Sequence, residues 1–106
     1  GYLSMGQVID VKLNHIGKQV ILDLNRSISS QEGVSFSNIA EASLDRTFCG
    51  DLALQLFQRF EEINSIYIQS NVITLSFTHN LGTDIQHIKE LVSQFFIFYQ
   101  DTGEEE

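Results

Sequence analysis

The feature that most constrains this chain is the alternation of apolar and polar residues in two neighbouring segments, residues 65–69 and 73–78. Side chains of a β-strand point alternately to the two faces of a sheet, so this pattern predicts a hairpin with one buried face. Residues 69–71 separate the two strands, and an asparagine among them tolerates the left-handed φ that tight turns require. The residues expected to face inward are Ile66, Ile68, Ile73, Leu75 and Phe77.

Two earlier segments, residues 8–13 and 19–24, show the same alternation and predict two more strands. Gly17 lies in the turn between them and is able to take a positive φ. Residues 34–37 are compatible with a third, short strand. The inward positions of the first two strands are Ile9, Val11, Leu13, Val20, Leu22 and Leu24.

Helical spacing appears in two segments. In residues 51–63 the apolar residues recur every three to four positions, and Asp51 is expected to cap the helix start. A second helix is predicted from Thr83, which forms a capping-box pattern with Gln86. Residues 39–42 are compatible with a single helical turn.

The order β-β-(β)-α-β-β-α predicts an α+β two-layer sandwich. We expect an antiparallel sheet of about four strands with two helices on one face. Residues 1–100 would form this single domain, and the acidic residues 101–106 would form a disordered tail.

Charge and hydropathy exclude several classes of protein. The formal net charge of −8 argues against a nucleic-acid binder or an anionic-membrane binder, both of which need a basic surface. No apolar run approaches the ~18 residues of a membrane span, and no signal peptide is recognised. We therefore expect a cytoplasmic protein that binds neither nucleic acid nor membrane.

Catalytic and metal-binding motifs are not found in the sequence. The three histidines and the single cysteine match no local ligand spacing, and the glycines form no phosphate-binding loop. The adjacent Glu61 and Glu62 would point about 100° apart on a helix, so they are no catalytic pair. The sequence thus predicts a protein that is not an enzyme and carries no cofactor.

Two features remain as candidates for binding. Cys49 precedes the predicted helix start, which lowers a thiol pKa, although the neighbouring Asp51 raises it; the alternative is a small buried thiol. The aromatic run at residues 95–99 includes Phe96, Phe98 and Tyr99. It is either a surface for a partner or part of the core.

Four segments of the chain resemble the N-terminal domain of the Nfu/NifU-like iron–sulfur scaffold proteins. Residues 22–26, which end at Arg26, and residues 34–42 match its early strands, and residues 51–57 match its helix start. Residues 63–77 are similar to its "gV-x-s-V-f … f-I-T-V-t" hairpin. The resemblance covers roughly residues 7–98 and implies the same fold and a place near iron–sulfur cluster assembly.

The sequence departs from the family at two motifs. Residues 13–17 replace its T-P-N-P, and Gly50 with Asp51 replaces the S-P before the helix. The family's cluster ligands form a C-x-x-C in a separate C-terminal domain, whereas this sequence has one cysteine. Since a cluster held by thiolates needs four of them, the resemblance implies no cluster binding by this chain.

Three hypotheses about function follow. The first is an accessory protein-interaction domain in iron–sulfur protein maturation, whose partner docks on the exposed sheet face, the loop of residues 26–33 or the aromatic C-terminal helix. The candidate contact residues are Arg26, Cys49, Asp51, Phe96, Phe98 and Tyr99. The second is a thiol redox or metal sensor that uses Cys49. The third is a homo-oligomeric regulatory protein, such as a homodimer, that kept the fold and left the pathway.

Overall fold

A computed structural model describes residues 9–29, 31–79 and 85–103, with side chains in the last segment described as far as Ile97. The strands and helices occur in the predicted order, although β1 lies three residues later than predicted. In chain order the elements are β1 (Val11–Ile16), β2 (Gln19–Leu24), β3 (Val34–Phe36), α1 (Ile39–Leu44), α2 (Phe48–Arg59), β4 (Ile63–Gln69), β5 (Val72–Phe77) and α3 (Ile85–Gly103).

The strands form one antiparallel sheet in the order β1-β2-β5-β4-β3. The fold is therefore α+β, a sheet covered by helices, as the sequence predicted. The sheet has five strands rather than about four, because the short segment Val34–Phe36 does pair, along the free edge of β4. The structure also has a third helix, since the helical turn predicted at residues 39–42 extends to Leu44.

The core lies between one face of the sheet and all three helices. Every inward position predicted for β2, β4 and β5 is buried, and these side chains form one cluster with those of the helices. The helices contribute the following residues to this cluster: Ala42, Cys49, Leu52, Ala53, Leu56, Phe57, Ile88, Val92 and Phe96. The described helices leave the opposite face of the sheet open.

The start and end predicted for α2 were wrong, since the helix ends at Arg59 and not at Ile63. The helix begins at Phe48 and its N-cap is Thr47, whose side chain accepts a hydrogen bond from the Gly50 amide at 3.2 Å. Asp51 instead lies within the first turn, where its charge favours the positive helix end. Gly50, which the predicted start at Asp51 placed before the helix, is helical and buried.

Tight turns join β1 to β2 and β4 to β5. Gly17 has a φ of 60°, as the sequence predicted. In the β4–β5 turn the left-handed residue is Ser70, with a φ of 54°, rather than the asparagine beside it. Asn71 instead uses its side-chain amide, which donates to Asp23 Oδ1 at 2.9 Å and to the Leu24 carbonyl at 3.0 Å.

Helix α3 begins at Ile85, so the capping residue proposed for it, Thr83, lies outside the described residues. The helix reaches Gly103 and so includes the first three residues of the predicted acidic tail; residues 104–106 lie outside the described part. Within the described ranges, no helix is both long and apolar enough to cross a membrane.

Candidate docking site

A shallow cavity of about 170 Å³ lies where the loop after β2 meets the start of α2 and the middle of α3. It is lined by Arg26, Ser27, Ile28, Phe48 and Phe96, and we call it the Arg26 pocket. Two residues singled out in the sequence, Arg26 and Phe96, are thus brought together although 70 positions separate them in the chain.

The loop that forms one wall of the pocket is fixed to the β4–β5 turn. The amides of Ile28 and Ser29 both donate to the Ser70 carbonyl, at 2.8 and 3.2 Å. The Ser29 hydroxyl donates to the Ile68 carbonyl at 3.3 Å and accepts from the Ser70 amide at 3.0 Å. Because these bonds hold the backbone at Ile28 and at the residue after it, this wall is pre-organised.

The floor of the pocket is aromatic. Phe48 contacts Phe96 edge to face, with ring centroids 5.0 Å apart, and contacts Phe95 at 5.3 Å in the same manner. Phe96 is only 2% exposed, so at this position the core interpretation of the aromatic run is favoured. The side chains of Phe98 and Tyr99 lie outside the described part of the structure.

Cys49 lies behind the pocket. Its side chain is 5% exposed, and its thiol donates to the carbonyl of Ile28, a pocket residue, at 3.3 Å. Burial raises the pKa of the Cys49 thiol, and the negative charge of Asp45 raises this pKa further. The thiol is therefore protonated at neutral pH, which opposes the nucleophilic thiolate that a sensor would need.

Acidic side chains occupy the start of α2. Asp45 accepts hydrogen bonds from the hydroxyl and the amide of Thr47, and these bonds lower its pKa. Asp51 is half-buried in the first turn and does not line the pocket. Among the residues that line the pocket, Arg26 is the one with a positively charged side chain.

The size and lining of the cavity determine which ligand chemistry it could accept. The exposed lining of this small cavity is more polar than apolar, so it suits a polar side chain of a partner, and the Arg26 guanidinium suits a carboxylate. Among the described residues, no group of three histidine, cysteine or acidic side chains is placed to hold a metal ion.

Sequence reasoning missed Phe48 and Ile28. Placing the helix start at Asp51 left Phe48 in a stretch without an assigned element. Thr47 followed by an apolar residue is an N-cap signal that could have moved the start to Phe48. Ile28 carries no local signal, since it becomes a pocket residue only through the fold.

No protein-family model matches the chain, and no curated protein matches it.

Proposed function

We propose that this chain is a non-enzymatic protein-interaction domain that serves as an accessory in iron–sulfur protein maturation. Its partner docks at the Arg26 pocket. The partner contributes a carboxylate that binds the Arg26 guanidinium. The domain recruits or positions another protein and holds no cluster of its own.

One observation carries the docking part of the proposal. Two of the three surfaces considered for a partner, the loop of residues 26–33 and the aromatic helix, meet at a single cavity. The pocket combines an arginine with two aromatic rings, and arginine and aromatic residues are enriched at protein interfaces. Its loop wall is fixed by hydrogen bonds, which lowers the entropy lost on binding.

The iron–sulfur part of the proposal rests on the resemblance to the Nfu N-terminal domain. The elements that carry the resemblance are the end of β2, the β3–α1 segment, the α2 helix and the β4–β5 hairpin. The sequence has one cysteine, and its thiol is buried and donates to a backbone carbonyl. A recruiting role therefore fits the chain better than cluster ligation.

The test is affinity capture from host lysate under anaerobic conditions, with the chain as bait and mass spectrometry as the readout. Two variants are run beside the wild type. Arg26→Glu reverses the charge at the pocket rim, and Lys18→Glu makes the same charge change in the exposed β1–β2 turn. Thermal unfolding of both variants checks that each is folded.

We expect the wild type and Lys18→Glu to recover a cysteine desulfurase, a cluster scaffold or apo iron–sulfur enzymes. With Arg26→Glu the recovery of these proteins should fall about tenfold or more, because reversing a charge in a desolvated contact lowers the binding free energy by more than about 1.4 kcal/mol. Recovery of none of these proteins would refute the iron–sulfur role. Equal recovery by both variants would refute docking at the pocket.

A further inference from the structure

The outer side of strand β1 is a second surface of the molecule, which we call the β1 edge. Among the described strands, β1 pairs with β2 alone. The Asp10 carbonyl accepts a hydrogen bond from the Asn25 amide at 3.1 Å, so the backbone groups of Asp10 point to the β2 side. Because these groups alternate in direction along a strand, the amides and carbonyls of every second residue after Asp10 point away from β2. These residues are Val11, Leu13 and His15.

Helix α3 places one flank above the β1 edge. The helix packs against both α2 and β1. Phe95 faces α2, since its ring contacts that of Phe48. Lys89 lies on the other flank of the buried stripe of α3, because neighbouring positions on a helix are about 100° apart. The buried stripe consists of Ile88, Val92 and Phe96. The half-buried Lys89 therefore lies on the side of β1.

The direction of α3 fixes which end of the β1 edge Lys89 approaches. The Phe77 amide donates to the Lys18 carbonyl at 2.8 Å, so β5 ends beside the β1–β2 turn. Helix α3 follows β5 in the chain and reaches the opposite end of the sheet, where Phe96 lines the Arg26 pocket. Lys89 is in the second turn of α3, so it lies towards the same end of the edge as Lys18.

The turn end of the β1 edge gathers positive charge in an acidic chain. The chain has three lysines, and its formal charge is −8. Lys12 lies towards the other end of the edge, where Asp10 and Asp23 balance it. Lys18 and Lys89 are at the turn end. Lysine on an edge strand opposes pairing with a neutral strand, whereas an acidic strand gains from the opposite charge.

We propose that the β1 edge binds an extended acidic segment of a partner protein, which adds to the sheet as an outer strand. Another strand matches the spacing of the outward amides and carbonyls, and such main-chain bonds supply the affinity of strand addition. Leu13 is half-buried beside the core and contacts an apolar side chain of the segment. Lys18 and Lys89 bind a carboxylate of the segment at the turn end.

The experiment measures binding of short capped peptides to the full chain by fluorescence anisotropy. The acidic probe is Glu-Thr-Val-Thr-Glu-Thr, which matches the six residues of β1. Its glutamates lie on one face near the two ends, so either strand direction places a carboxylate at the turn end. One control peptide has lysine in place of both glutamates. The other keeps the glutamates and carries methylated backbone nitrogens, which removes the hydrogen-bond donors without changing the charge.

We expect the acidic probe to bind at least about tenfold more tightly than either control peptide. Lys89→Glu should weaken this binding about fivefold, since it replaces an attraction by a repulsion. Arg46→Glu makes the same charge change at an exposed position before α2 and should leave binding within about twofold. Circular dichroism checks that both variants are folded, and Lys89→Gln replaces Lys89→Glu if the latter does not fold.

Equal binding of the methylated and unmethylated acidic peptides would overturn strand addition. Equal binding of the acidic and lysine peptides, or equal weakening by Lys89→Glu and Arg46→Glu, would overturn the charge argument. If the acidic probe does not bind, the proposal fails, and self-association of the chain would then assign the edge to a second copy. The β1 edge and the Arg26 pocket lie on different flanks of α3, so Arg26→Glu should leave peptide binding within about twofold.

Discussion

Gly50 in the first turn of α2 allows a close approach between α2 and the end of α1. A Cβ at this position would lie 2.6 Å from the Asp45 Cβ and 2.7 Å from its Oδ1, and it would also collide with the Asp45 carbonyl oxygen. Real Cβ atoms do not come this close, so Gly50→Ala forces the backbone at Asp45 to move. Asp45 is the C-cap of α1, and its carboxylate binds Thr47, the N-cap of α2.

Two effects of Gly50→Ala oppose each other. Alanine favours a helix over glycine by about 1 kcal/mol. Overpacking costs about 1–3 kcal/mol, and disturbing the Thr47 cap costs about 1 kcal/mol more. The cost exceeds the gain, so we expect a net loss of about 1–3 kcal/mol in the free energy of unfolding.

Urea denaturation of the wild type, Gly50→Ala and Gly17→Ala measures this balance. Gly17 has a φ of 60°, and a Cβ added there would meet nothing within 4 Å. Gly17→Ala therefore tests backbone strain alone and should lower the free energy of unfolding by about 1 kcal/mol. If the free energy of unfolding of Gly50→Ala instead rises by about 1 kcal/mol, helix propensity outweighs overpacking. That result would refute the packing argument at the start of α2.

Three further predictions concern the core, the thiol and the hairpin turn. Phe96→Ala removes a ring that is 2% exposed and should cost about 3–5 kcal/mol in urea denaturation; a loss below about 1 kcal/mol would show that Phe96 is not core. The raised pKa of Cys49 means that folding is stabilised below the thiol's ordinary pKa, and that this stability falls as pH rises through the folded pKa. Alkylation of Cys49 near neutral pH should therefore be slow when folded and fast in denaturant, whereas fast alkylation of the folded chain would support the sensor hypothesis. Ser70→Gly relieves a φ of 54° and should raise the free energy of unfolding by about 0.5–1 kcal/mol; a loss would mean that the turn tolerates serine without strain.

Periodic segments of the sequence predicted their elements well. The alternation in β2, β4 and β5 is unambiguous, since a shift of one residue would expose every apolar side chain. The start of α2 was harder to predict, because a glycine such as Gly50 usually interrupts a helix. The close contact with Asp45 that leaves no room for a side chain there depends on the fold. Helix α1 and strand β3 are too short for periodicity to define them.

The candidate site could be predicted only in part. Arg26 and Phe96 were singled out, but local patterns give no indication that a loop after β2 and a turn of α3 meet in space. Cys49 was predicted to lie before a helix, either as a thiol whose pKa the helix end lowers and Asp51 raises, or as a small buried thiol. It lies inside the helix and is buried, so the second alternative is confirmed, and its pKa is raised. Pockets formed by residues distant in sequence depend on tertiary packing, which spacing along one chain does not encode.

Docking of a protein partner at the Arg26 pocket is the central claim about function. Amide chemical-shift mapping of the isotope-labelled chain with a purified partner from the anaerobic capture tests it most directly. We expect the largest shifts to cluster at residues 26–28 and at Phe48 and Phe96, and Arg26→Glu to abolish them. Shifts confined to the open face of the sheet, or unaffected by Arg26→Glu, would contradict it.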